Sequence, residues 1–232
     1  MATWAPERPN VEPVSPEIDL VPTRRALHAV AEQVLAAACY AAEGRIGLLV
    51  VPDGFGTPEF GDGRRVEVQQ DELVVVNGDD VQRERLTTLR RAGELAGVEP
   101  NAPLVYPPAT VYDPDRPLDI ARGAARVIAD WFAVVDAALR TVAAELTEPT
   151  AITLWPEHFD LALAAAEVNY GGSPGDDEHT EPYLYVGPFA RPLPAGRPGF
   201  WNEPFGASLT RSAVADVEAA VDFFRRGRDA SH

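Results

Sequence analysis

Residues 120–146 carry the clearest helical stripe in the chain. Ile120, Ala124, Val127, Ile128, Trp131, Val135, Ala138, Val142 and Leu146 recur at three- and four-residue spacing on one face. Arg122, Arg126, Asp130 and Arg140 fall mostly on the other, and Asp119 stands at the cap position. Such a helix must lay its apolar face on another layer of structure. The neighbouring segments say what that layer is.

Before it, residues 24–43 read as a helix with Thr23 as cap, a Leu27, Val30, Val34, Ala38 stripe and Gly44 as the stop. Arg24 and Arg25 lie in its first turn, against the helix dipole, which points to an ion pair with an acidic loop or to an anion site. Arg45 to Val51 reads as a buried strand. "RRVEVQ" (64–69) and "ELVVVN" (72–77) read as a hairpin closed after Asn77-Gly78. The stretch "PDGFGTPEFGDG" between these strands reads as a flexible loop. A short helix over 87–97 follows, capped by Thr87 or Thr88. Residues 98–118 hold six prolines and no amphipathic pattern, and form a crossover.

After the long helix, "AITLW" (151–155) reads as a strand. "HFDLAL" reads as a strand beginning near His158, with a helix beginning at Pro156 as the rival. Strand alternation would place His158 and Asp160 on one face and Phe159, Leu161 and Leu163 on the other. "PYLYVGPF" and "GFWNEPFGASL" read as further strands. A last helix over 211–227 would bury Val214, Val217, Val221 and Phe224. The order is helix, strands, helix, linker, helix, strands, helix. The fold class is therefore α+β, mainly antiparallel sheet with flanking helices, as one domain over 23–228. Two similar halves, 23–97 and 119–228, are possible within it. Residues 1–22, with five prolines and Trp4, read as an extended arm.

Composition removes whole classes of chemistry. The net charge is −16, which repels phosphate backbones and anionic headgroups, so nucleic acid and membrane surfaces are poor partners. A small molecule or another protein fits better. All 20 basic residues are Arg, so neither a P-loop lysine nor a PLP Schiff base is available. Cys39 is the single cysteine and falls in an Ala-rich helix, where it reads as core. The start lacks a signal-peptide pattern, and no stretch approaches the roughly 20 apolar residues of a membrane span. Cytoplasmic residence is the default expectation.

Several strings bear on function. "GGSPG" (171–175) matches Gly-x-Ser-x-Gly, but Pro174 has no N–H to offer an oxyanion, and no helix follows. It reads as a tight turn. The glycines of "DGFGTPEFGDG" have the wrong spacing for a dinucleotide fingerprint. Glu157, His158 and Asp160 stand near the acidic turn Asp176, Asp177, Glu178, His179 and Glu181. His158 and Asp160, with His179 folded back, would offer metal ligands. Glu157, His158 and Asp160 would alternatively serve as acid–base groups. Nine aromatic residues lie between 155 and 205. Trp155, Tyr170, Tyr183, Tyr185 and Trp201 are the candidate walls of a ligand cleft, with Asn202 as a polar handle beside Asn169 and Glu203. In "PYLYV", Tyr183 and Tyr185 share a face opposite Leu184 and Val186, so the tyrosines would face a cleft or a partner.

The strings "GRIGLLVVPDGFGTPEFGDGRRVEV", "LWPEHFDLA", "VNYGGSPGD", "EPYLYVGPF" and "FWNEPFGA" resemble an uncharacterised protein family of high-GC bacteria. More remotely, their layout is similar to a wider bacterial domain of unknown function with an "FWGSFDLA"-like string, a Gly/Pro turn and an "FYAYAYP"-like strand. The resemblance spans about residues 23–226. In the remote group the position of Asp160 is also Asp, while that of His158 is a small polar residue. The resemblance thus implies a shared role for Asp160 and a lesser one for His158. It implies no activity. Three expectations follow: small-molecule binding in an aromatic cleft, metal-dependent or acid–base catalysis by Asp160, Glu157 and His158, or an interaction surface built on the tyrosine face.

Overall fold

The computed structural model describes residues 18–61, 63–101, 105–109, 112–193 and 199–231. Most of the proline-rich arm, up to residue 17, lies outside the described residues. The protein is α+β, with two five-stranded antiparallel sheets and flanking helices.

The first helical run starts at Val21, earlier than the sequence suggests, with Pro22 in the first turn, where a missing N–H costs nothing. It runs as α1 (Val21–Val30), a π-helical stretch (Ala31–Ala36) and α2 (Ala37–Glu43), and stops at Gly44 with φ 68°. Thr23 is therefore inside the helix and not its cap. Its hydroxyl instead accepts from the Ala121 N–H at 2.9 Å, at the start of α4 (Arg122–Ala143). Asp119 does not cap that helix, which has no side-chain cap, and the Thr23 hydroxyl instead ties down the N–H of its N-cap residue Ala121. Cys39 is fully buried, and burial pushes its thiol pKa up.

The first sheet is a meander in the order β1 (Leu49–Val51), β2 (Gly54–Gly56), β3 (Arg64–Gln69), β4 (Glu72–Asn77), β5 (Asp80–Arg85). β1 is shorter than the buried strand expected over 45–51 and is exposed to half-buried, with only the preceding Leu48 fully buried. Two further strands depart from the sequence reading. The "GFG" of the expected loop is β2, inserted between β1 and β3. A Cβ on Gly54 would sit 1.9 Å from the Val68 carbonyl oxygen, so the glycine is what lets the strands close up. The other is β5. It is a polar, mostly exposed edge strand, of the kind that lacks apolar alternation because it guards the sheet edge. Helix α3 (Leu89–Ala96) follows, capped by the Thr88 hydroxyl, which accepts from the Arg91 N–H at 3.1 Å.

The second sheet is also a meander: β6 (Thr153–Trp155), β7 (Asp160–Ala165), β8 (Val168–Ser173), β9 (Tyr183–Pro188) and β10 (Ala207–Thr210). Here "GGSPG" is corrected: Gly171, Gly172 and Ser173 belong to β8, and only Pro174-Gly175 turns away. β7 begins at Asp160, not near His158. Residues 156–159 form the hairpin turn between β6 and β7, and Phe159 has a left-handed φ of 52°. The third strand is confined to the last part of "GFWNEPFGASL". The final helix α5 (Val217–Ala230) starts later than expected because Asp216 caps it, accepting from the Ala219 N–H at 2.9 Å.

Among the described residues an antiparallel bridge joins the backbones of the two sheets, in which Leu48 and Leu154 exchange hydrogen bonds of 2.9 Å each. α4 lies across both, against β1 and β2 on one side and β7 and β8 on the other, and α5 covers β9. Residues of both halves form one hydrophobic cluster. Among the described residues no helix is long and apolar enough to cross a membrane.

Candidate functional site

The two faces of the second sheet divide by parity. Leu161 and Leu163 of β7, Tyr170 and Gly172 of β8, and Leu184 and Val186 of β9 align across the strands and face α4 and α5. Asp160, Asn169, Ser173, Tyr183, Tyr185 and Gly187 fall on the opposite face, and all six line one cavity of about 420 Å³. Phe189, Arg191 and Phe205 supply its far wall, and His158 and Asp176 its rim toward α1.

Small residues make the room. Gly171 pairs with Tyr185 in register, and a Cβ there would lie 2.5 Å from the Tyr185 ring. The glycine lets the phenol lie across β8 and reach Asp160. The Tyr185 hydroxyl donates a short hydrogen bond to Asp160 Oδ2. Asp160 Oδ1 is shielded from solvent and has no hydrogen-bond partner. Burial pushes the Asp160 carboxyl above the usual carboxylate range, although the Tyr185 hydroxyl works the other way. Burial beside Asp160 also pushes the Tyr185 phenol well up, so it stays a donor.

The second tyrosine is tied to the turn. Tyr183 donates to Asp176 Oδ2 at 2.6 Å. Asp176 Oδ1 accepts from the N–H groups of Glu178 and His179, at 2.8 and 2.6 Å. Burial would raise the Asp176 carboxyl, but these three donors outweigh it and hold it below its ordinary range. The cleft thus contains two carboxyls in different conditions. Asp176 is ionised and satisfied; Asp160 is half satisfied and reluctant to ionise. His179 Nε2 lies 3.2 Å from Glu203 Oε1, which also accepts from Ser208 Oγ at 2.9 Å, so the turn is clipped to the 200–206 loop. The Arg191 guanidinium donates to the carbonyls of Pro188, Ala190 and Phe205.

Most other sequence candidates lie outside the cleft lining. Tyr170 is 1% exposed and packs edge-on against Phe224, because its parity on β8 turns it into the core. Trp155 is exposed on β6, outside the cleft lining. Trp201 packs against Phe200 at 5.0 Å, away from the cleft. Asn202 spends its amide on the backbone of Ser208, donating at 3.2 Å and accepting at 2.8 Å. Glu157 is half-buried in the β6–β7 turn and does not line the cleft. His158 is exposed on that turn and not in β7, yet it borders the same cavity as Asp160, opposite the buried Phe159. His158, Asp160 and His179 do not assemble as a ligand set. Among the described residues no three His, Cys, Asp or Glu side chains come together as metal ligands.

Ser173 and Arg191 join the cleft unannounced by the sequence reading, and Gly187 joins it as its shared face with Tyr183 and Tyr185 predicts. The first is legible once β8 is recognised, since it shares parity with Asn169 and Gly171. Comparison with protein-family models, curated proteins and solved structures gives no match.

Proposed function

We propose that the protein binds a small organic molecule carrying a basic nitrogen in the cleft over the tyrosine face of the second sheet. The observation that carries this reading is Asp160 Oδ1, shielded, unpartnered and placed in the wall of a cavity of about 420 Å³. A buried carboxyl oxygen without a donor is costly, and a ligand N–H supplies the missing bond. A cationic nitrogen also draws the proton from Asp160, turning a reluctant acid into a paired carboxylate. Tyr183, Tyr185, Phe189 and Phe205 offer ring faces and edges for the rest of the molecule. The volume matches the usual range of small-molecule pockets.

The test is a thermal-shift screen of amines against neutral and anionic analogues, on the wild type and on Asp160→Asn. An amine at about 100 times its Kd stabilises by ~2.7 kcal/mol, and Asp160→Asn should remove most of that gain. Stabilisation by neutral or anionic compounds alone, or amine binding indifferent to Asp160→Asn, would overturn the reading.

A second reading, acid–base catalysis, is favoured by the same carboxyl. A protonated Asp160 hydrogen-bonded to a phenol is a proton donor at a pH where ordinary carboxylates are not. It requires turnover of a bound amine that Asp160→Asn abolishes while the fold is kept. An interaction surface is less well supported, since the tyrosine face is hollow and both hydroxyls are engaged within it.

A further inference from the structure

A second cavity, of about 680 Å³, lies on the other side of His158 and Asp176. Its wall carries Arg24 and Arg25 from α1, Arg116 from the 112–118 loop, and Asp177 from the turn after β8. The ion pair expected of the first-turn arginines does form. Arg25 Nη2 is 2.9 Å from Asp177 Oδ1, and Arg24 Nη2 is 3.7 Å from the same oxygen. It does not satisfy them. Arg24 is only 4% exposed, and its Nη1 is shielded without a hydrogen-bond partner. Arg116 has its guanidinium over the Tyr112 ring at 5.9 Å and no carboxylate partner among the described residues.

Three guanidinium groups and three carboxylates, Asp176, Asp177 and Glu178, line this cavity, but the direct ion pairs there are those of Arg24 and Arg25, and both use the same Asp177 oxygen. Asp176 adds a negative charge near Arg24 but no direct contact, since both its oxygens are committed to Tyr183, Glu178 and His179. Glu178 is exposed on the rim. Placing Arg24 here also constrains the backbone. Gly175 has φ 104°, and a Cβ on it would lie 2.8 Å from Arg24 Nη1. A buried guanidinium with an open Nη is expensive unless an anion completes it. The Asp177 carboxylate, on a side chain 81% exposed, sits at the mouth where such an anion would enter.

We propose that this cavity binds the oxyanion group, carboxylate or phosphate, of a small ligand. Arg24 is the buried anchor, Arg25 and Arg116 are the outer partners, and Asp177 is the internal carboxylate that the ligand displaces. The proposal is independent of the amine reading, because Asp160 does not line this cavity.

The test is calorimetric titration of the full chain with inorganic phosphate and, in a separate arm, with succinate, at ionic strength held constant with sodium chloride. Saturable binding in one arm or in both supports the site and identifies which oxyanion it takes. Asp177→Asn should tighten binding about tenfold, the worth of one charge-assisted hydrogen bond freed from competition. Arg25→Gln and Arg116→Gln, both at exposed positions, should each weaken it about tenfold on the same basis. Arg24→Gln should abolish it; if that variant does not fold, the two exposed variants and Asp177→Asn decide. Asp160→Asn should leave oxyanion binding unchanged, which separates this site from the cleft. Absence of saturable binding of either anion to both the wild type and Asp177→Asn overturns the proposal. So does binding that Arg25→Gln and Arg116→Gln leave untouched.

Discussion

Replacing Phe159 by alanine tests whether the two sheets share one core. The ring is 2% exposed. It meets Phe55 of β2 edge-on at 5.2 Å, Phe132 of α4 edge-on at 5.4 Å, and stacks on His28 of α1 at 5.3 Å. One side chain from the second sheet therefore touches the first sheet and both long helices. Phe→Ala in a core costs about 3–5 kcal/mol, and each lost aromatic pair contributes about 0.5–1.5 kcal/mol beyond area. The left-handed φ of 52° remains with alanine, so no backbone strain is relieved. A loss of about 4 kcal/mol is expected, in the upper half of the range for single core substitutions. Urea unfolding, followed by far-UV circular dichroism and by tryptophan fluorescence, measures it. With a slope of about 2–3 kcal/mol/M, the midpoint falls by about 1.5–2 M. Phe159→Leu keeps most of the volume and should lose only about 1–2 kcal/mol. Both probes should move together. A shift below about 0.3 M, or two transitions of which only one moves, would refute a core joined through Phe159.

Four further outcomes follow. Thr23→Val removes the hydroxyl that accepts from the Ala121 N–H at the start of α4 and should cost about 1 kcal/mol, recovered by Thr23→Ser, in the same urea assay. Gly171→Ala forces a Cβ to 2.5 Å from the Tyr185 ring and 2.6 Å from the Leu161 carbonyl oxygen. It should destabilise by about 1–3 kcal/mol and weaken amine binding together. The Asp176 carboxyl is held below its unfolded value, so it adds stability above the ordinary carboxylate pKa and loses it as pH falls through the depressed one. Asp176→Asn should flatten that acid limb of the thermal midpoint against pH. Asp160 has the opposite sign. Its folded pKa is raised, so the native state binds more protons, and stability falls as pH rises from the unfolded value through the raised one. Asp160→Asn should remove that fall and raise the neutral-pH thermal midpoint of the ligand-free protein, while reducing ligand-dependent stabilisation.

The elements legible in the sequence were those with a regular apolar period. The β3–β4 hairpin and the "PYLYV" alternation form as their spacing predicts, and the α4 stripe buries Ala124, Ile128, Trp131, Val135, Ala138 and Val142 while Ile120, Val127 and Leu146 are half-buried. The failures have distinct physical causes. β5 is an exposed edge strand with nothing apolar to repeat. β2 and β8 are built on glycines whose missing side chains admit a neighbouring strand or a tyrosine ring, and short-range rules read glycine as turn. Thr23 and Asp119 were assigned to the helices next to them, but the hydroxyl of Thr23 serves a helix start 98 residues away. In the site, the tyrosine face of β9 followed from period two alone. The placement of Tyr170 did not, because it needed β8 to be seen as a strand. Period two extends the strand two residues too far back, into the turn, although His158 still borders the same cavity as Asp160.

The stretch "LWPEHFDLA" explains why cleft and arginine cavity stand back to back. Leu154 pairs with Leu48 and joins the sheets. The Pro156 carbonyl accepts from His28 Nε2 at 2.8 Å, which fixes the turn to α1, the helix that carries Arg24 and Arg25. The left-handed Phe159 then drives its ring into the core while His158 and Asp160, on either side, stay outside it. His158 lines both cavities, and Asp160 only the cleft. A single turn therefore sets the spacing between an unpartnered carboxyl oxygen and an unpartnered guanidinium nitrogen.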